Sequence, residues 1–157
     1  MNDFAIRNGN RTLKFTGDPL AYSSSKRPNA ARWIEFALYK TDKGDYVLSR
    51  VGVSHVYHTS VCPLVQRYGL HEAHVEDLNI ESVPCEDCNP HFAEPFIYPE
   101  THRYWSLVTS DPAAVLDALY QNDKNNSRYL TRVAETLLEK ASAVDPAIDQ
   151  VYRVEYI

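Results

Sequence analysis

Arg32-Trp33-Ile34-Glu35-Phe36-Ala37-Leu38-Tyr39-Lys40 is the stretch on which the reading of the fold turns. Ile34, Phe36 and Leu38 alternate with Trp33, Glu35, Ala37 and Tyr39, the period-two pattern of a half-buried strand. Thr41-Asp42-Lys43-Gly44-Asp45 follows as a turn, with glycine where a positive φ is needed. Tyr46 to Val51 then predicts the returning strand, Gly52 a bulge or bend, and Val53 to Tyr57 a further strand. Upstream, Phe4–Arg7 and Thr12–Phe15 flank Asn8-Gly9 and predict a β-hairpin. Gly17-Asp18-Pro19 is expected to close its second strand, and the polar run Ser23 to Asn29 to form a mobile loop.

The chemistry is concentrated just downstream, in Tyr57-His58-Thr59-Ser60-Val61-Cys62 and Pro84-Cys85-Glu86-Asp87-Cys88-Asn89-Pro90. All three cysteines of the chain fall in these two pieces. The pattern is H-x3-C, 22 intervening residues, then C-x2-C. A C-x2-C turn sets two thiolates on one side of a tight bend, and His58 and Cys62 supply two further corners. Thiolates with an imidazole suit a closed tetrahedral Zn2+ site better than the oxygen-seeking Mg2+ or Ca2+. An odd cysteine count argues against a disulfide framework. A redox C-x2-C would open a helix, whereas here Pro84 precedes the pair and Asn89-Pro90 follows it. His55 and His91 are rivals of His58 for the fourth corner. His71 and His74 stand outside the register and read as surface residues.

Y-H-x3-C followed by P-C-x2-C-x-P resembles the small metal-binding module of the Ada type, also found as a tail on some thermonuclease-like proteins. The resemblance covers about residues 55 to 91. It implies His58, Cys62, Cys85 and Cys88 as ligands, with Tyr57, Pro84 and Pro90 at flanking positions. Glu86 and Asp87 stand where that module carries basic residues, so the resemblance implies a structural zinc site more than a DNA contact.

Beyond the motif, Pro63 to Tyr68 predicts a short helix and Ala93 to Trp105 an aromatic, proline-rich loop laid over the sheet, with Tyr104 to Val108 also readable as a short strand. Ser110-Asp111-Pro112 is a helix start leading to Tyr120. A second helix is expected over about Ser127 to Ala143, from Leu130, Val133, Leu137, Leu138 and Ala141 at helical spacing. Asp145-Pro146 reads as a turn, and Val151 to Ile157 as a closing strand. The predicted fold class is therefore α+β, in a single domain over residues 1–157. An antiparallel sheet from 4 to 58 leads into a zinc knuckle, then two helices and a C-terminal strand.

Composition narrows the function. No apolar run approaches the length of a membrane span, and no leader is visible at the amino terminus, so a cytoplasmic, reducing compartment is expected. The net charge of −5 is asymmetric: residues 1–50 carry nine Lys/Arg against five Asp/Glu, the remainder seven against sixteen. Only the first third offers a basic face. Within it Lys26, Arg27 and Arg32 are the candidates for contact with a partner. No phosphate-cradling loop, nucleophile elbow or H-E-x-x-H occurs, and the three thiols are spoken for by the metal. These features predict a non-enzymatic, zinc-stabilised binding or regulatory protein whose partner is another protein. A phage-borne chain acting on a host protein would fit. Two alternatives remain: a nucleic-acid-associated protein using the basic first third, and a metal-dependent transferase or hydrolase with an open zinc position.

Overall fold

The computed structural model describes residues 1–28, 30–54, 56–59, 83–84, 95–97 and 101–155, those of 56–59, 83–84, 95–97 and 101 by backbone alone. The chain divides into two compact units. One comprises Met1–Ser25, Glu35–Arg50 and Tyr104–Ile157, the other Lys26–Ile34 and Val51–Arg103.

Most of the first unit's residues in strands belong to a sheet of order β1-β2-β3-β4-β8, made of β1 (Asn2–Asn8), β2 (Arg11–Ser24), β3 (Arg32–Thr41), β4 (Tyr46–Ser54) and β8 (Thr101–Thr109). Gly9, at φ 60°, makes the tight turn between β1 and β2, which pair from Asn8↔Arg11 out to Asn2↔Gly17. Beyond Gly17 the second strand does not end as expected. It runs on to Ser24 against β3, absorbing a register shift between Pro19 and Ala21. Gly17 is there because the backbones crowd: a Cβ would sit 2.8 Å from Thr41 Cα. The glycine marks a close strand approach instead of a strand end.

The sheet curls until its outermost strands meet. Gly9 N–H donates to the Tyr104 carbonyl at 2.8 Å, Ser106 N–H donates to Asn8 Oδ1 at 3.2 Å, and the Arg7 guanidinium lies 4.7 Å from the Tyr104 ring centre. Edge strands separated by three others touch only if the sheet bends strongly, as in a half-barrel.

Three short helices complete this unit: α1 (Pro112–Leu119), α2 (Arg132–Ser142) and α3 (Pro146–Arg153). Each begins at a side-chain cap, from Asp111, Thr131 and Asp145 respectively. Val115 and Leu119, then Ala134, Leu137, Leu138 and Ala141, and finally Ile148 turn inward and are buried with Leu38, Val47 and Leu48 of the sheet. Burial of each leucine contributes about 2 kcal/mol. α2 is tied to β2 by Ser23 Oγ, which donates to the Val133 carbonyl at 2.8 Å, and by Lys140 Nζ, which donates to the Tyr22 carbonyl at 2.9 Å.

The α+β reading is corrected here. Among the described residues the chain is mostly antiparallel strand, and no group of three or more His, Cys, Asp or Glu side chains there is arranged to hold a metal. No zinc-binding group is found there, the cysteines of the predicted knuckle lying outside the described residues, and among the described residues three helices stand where two were expected. Among the described residues the closing strand is absent as well. Asp145 caps a helix that carries Val151, Tyr152 and Arg153, so the alternating V-Y-R-V pattern yields to an i, i+3, i+4 stripe of Ile148, Val151 and Tyr152. The second predicted helix loses its first turn because Thr131 caps it late. Arg128–Tyr129 (β10) instead pairs with Gln121–Asn122 (β9). Part of the predicted aromatic loop is strand, β7 (Pro95–Ile97) and the start of β8. β4 includes Gly52 and runs on to Ser54. The helix expected after Pro63 lies outside the described residues.

The second unit contains a small sheet of order β6-β5-β7, made of β5 (Val56–Thr59), β6 (Val83–Pro84) and β7. β5 pairs parallel with β6 through Val56↔Val83 and Tyr57↔Pro84, and antiparallel with β7 through Tyr57↔Ile97, His58↔Phe96 and Thr59↔Pro95.

Candidate functional site

The backbone of His58 is fixed in β5, the central strand of the small sheet, opposite Phe96. Cys62, Cys85 and Cys88 lie outside the described residues, as do His55, His71, His74 and His91. The register nonetheless bears on the motif. Two segments 27 residues apart in sequence run side by side, with Tyr57 paired to Pro84. In the sequence a proposed ligand follows each of these paired residues, His58 after Tyr57 and Cys85 after Pro84. A parallel pair of such short strands gains little from its own hydrogen bonds. One imidazole and three thiols are the donor types that structural zinc sites use.

Of the residues singled out for a partner, Lys26, Arg27 and Arg32 are all exposed. The Lys26 ammonium stands 4.8 Å from the ring centre of buried Trp33, a cation–π contact that fixes its side chain. The Arg27 carbonyl accepts Ala30 N–H at 3.1 Å, closing a turn just before β3. Arg32 is the first residue of β3.

The sequence reading missed a hydrogen-bonded ionic group of the first unit, Lys40, Tyr46 and Asp145. The Tyr46 hydroxyl, on a 2 % exposed residue, donates towards both oxygens of Asp145, at 3.1 and 3.0 Å. Lys40 Nζ donates to the Tyr46 hydroxyl and to Asp145 Oδ2, each at 3.3 Å, and Asp145 Oδ1 accepts Ala147 and Ile148 N–H at 2.9 and 3.1 Å. Burial alone would raise the Asp145 carboxyl. The hydrogen bonds from Ile148 N–H, Tyr46 and Lys40 outweigh it and hold the carboxyl below its ordinary value. Burial would likewise lower Lys40, but its bonds to Tyr46 and Asp145 raise it instead, while the Tyr46 hydroxyl is raised chiefly by burial. Every polar atom of the cluster is used in pinning α3 to the sheet, which makes it a structural tie. Its signal was present in the sequence, since Asp145-Pro146 repeats the cap-then-proline pattern of Asp111-Pro112.

Comparison with known proteins returns no matching family model, no matching curated protein and no matching solved structure. Among the described residues no helix is long and apolar enough to cross a membrane.

Proposed function

We propose that this chain is a non-enzymatic, zinc-stabilised binding protein of the cytosol whose partner is another protein. His58, Cys62, Cys85 and Cys88 hold the ion. The observation that carries this reading is the parallel register of β5 and β6, which sets Val56-Tyr57, just before the H-x3-C segment, beside Val83-Pro84, just before the C-x2-C segment. One ion shared between them supplies the folding free energy that strands of four and two residues lack, of order 10 kcal/mol for zinc-finger-like sites at neutral pH. A site with four protein ligands leaves no open position for a substrate, which favours a structural role over hydrolysis or transfer. An acidic chain favours a protein partner over nucleic acid, whose affinity rests largely on phosphate neutralisation.

Elemental analysis of the purified protein tests the reading. About one zinc per chain is expected, as for a four-ligand site, and Cys85→Ser should lose the metal. Metal-free protein whose three thiols titrate freely in the folded state would contradict it.

A further inference from the structure

The outer edge of β1 is complementary to itself. Asn8 and Arg11 flank a two-residue turn and exchange hydrogen bonds across it, as do Ile6 with Leu13, Phe4 with Phe15 and Asn2 with Gly17 in the same register. The backbone N–H and C=O of Asp3, Ala5 and Arg7 therefore point away from β2. Gly9 continues that series, and its outward amide is the one that meets the Tyr104 carbonyl. β1 is the outermost strand of its sheet, and among the described residues no strand pairs with its outer edge. The side chains of Asp3, Ala5 and Arg7 share one face and are all exposed, while Phe4 and Ile6 lie half-buried on the other.

Asp3 and Arg7 stand two residues to either side of Ala5. Two copies of β1 laid antiparallel about a two-fold axis at Ala5 set each Asp3 opposite the partner's Arg7 and each Phe4 opposite the partner's Ile6. Asp3 Oδ1 accepts the Thr16 hydroxyl at 2.6 Å, which orients the carboxylate and leaves its second oxygen for a guanidinium. Arg7 touches the Tyr104 ring but makes no ion pair or side-chain hydrogen bond among the described residues, so its N–H fork is open to a carboxylate. Lys14, the remaining charge beside this row, sits next to Ala5 on β2 and faces no like charge in such a pair. A hollow of about 470 Å³, lined by Asp3, Ala5, Lys14 and Thr16 with Phe4 and Phe15, gives the partner's arginine room to reach the carboxylate.

We infer that the chain forms a two-fold dimer through this edge, β1 pairing antiparallel with β1 of a second copy so that the two five-stranded sheets become one. A second copy suits the edge better than an unrelated strand, because the order acid, alanine, base reads the same from both sides of the axis. The inference is independent of the metal. Seven residues of edge bury less than a standard interface, so the dimer is weak and depends on concentration.

Sedimentation velocity on the full chain from about 1 to 100 μM is the test, since mass action governs a weak dimer. Asp3→Arg and Arg7→Asp should each weaken self-association about tenfold or more, because the two-fold axis makes every reversal count twice. An equimolar mixture of those two variants should associate as well as wild type: one copy is then acidic at both facing positions and the other basic at both. That rescue also shows that each variant folds. Hydrogen exchange at the Asp3, Ala5 and Arg7 amides should slow as concentration rises. A chain that stays monomeric throughout, a dimer indifferent to both reversals, a mixture no better than either variant alone, or a dimer whose Ala5 amide exchanges as in the monomer would each overturn the inference.

Discussion

Gly9 N–H and the Tyr104 carbonyl, 2.8 Å apart, join the first strand of the five-stranded sheet to its last. Positive φ at Gly9 aims that amide outward from the turn, and Asn8 beside it accepts a second amide, from Ser106. The seam covers backbone groups that two bare edges would otherwise offer to another chain. Asn8→Ala removes one acceptor and leaves Ser106 N–H without it, at a cost of about 1 kcal/mol. Denaturant unfolding should report that loss, and hydrogen exchange at Ser106 should rise selectively. Unchanged exchange at Ser106 would show that the seam bond is not held in solution.

Asp145 is the second fastening, and its removal should cost more. Asp145→Ala deletes the cap of α3 and leaves the buried Tyr46 hydroxyl unpaired, together about 2–4 kcal/mol. Asp145→Asn keeps an acceptor for the cap and should cost less. Loss of helical circular dichroism with little change in the sheet signal is expected for the alanine variant, and equal stability of all three proteins would refute the assignment.

The same cluster sets a pH signature. The Asp145 carboxyl is lowered in the folded chain, so its contribution is complete above the ordinary carboxylate range and fades as pH falls through the lowered value. Lys40 is raised, so its contribution is complete below the ordinary lysine range and fades as pH rises through the raised value. The stability difference between wild type and Asp145→Asn should therefore be flat at neutral pH and shrink towards acid. A difference that grows on acidification would reverse the sign of the argument.

Gly17 and Gly52 both lie inside strands, and they should respond oppositely to alanine. At Gly17 the new Cβ meets the β3 backbone, with Thr41 Cα at 2.8 Å, and strain of about 1–3 kcal/mol is expected. At Gly52 there is room, and alanine should be neutral or stabilising by about 0.5 kcal/mol through reduced unfolded-state entropy. Melting temperatures of the two variants decide the matter.

These glycines also show where the sequence was legible and where it was not. Alternation across Ile34, Phe36 and Leu38 announced β3, and Asn8-Gly9 the turn before it, because burial on one face and positive φ leave local marks. Gly17 carries the same local mark whether a strand ends or a neighbour crowds it, and only the partner strand distinguishes the two. Val151 to Ile157 likewise satisfies period two and period 3.6 over so short a run, and the Asp145 cap decides between them. The Lys40–Tyr46–Asp145 cluster spans about a hundred residues and has no local signature beyond Asp145-Pro146. The metal positions proposed at His58, Cys62, Cys85 and Cys88 rest on spacing, and the three cysteines lie outside the described residues; the β5–β6 register brings Tyr57 and Pro84, their neighbours in sequence, side by side.

X-ray absorption at the zinc edge on the purified protein tests that central claim most directly. The account predicts a four-coordinate zinc with three sulfur neighbours at about 2.3 Å and one nitrogen at about 2.0 Å, the nitrogen shell being lost in His58→Ala. Absence of zinc, or a first shell of oxygen and nitrogen without sulfur, would contradict it.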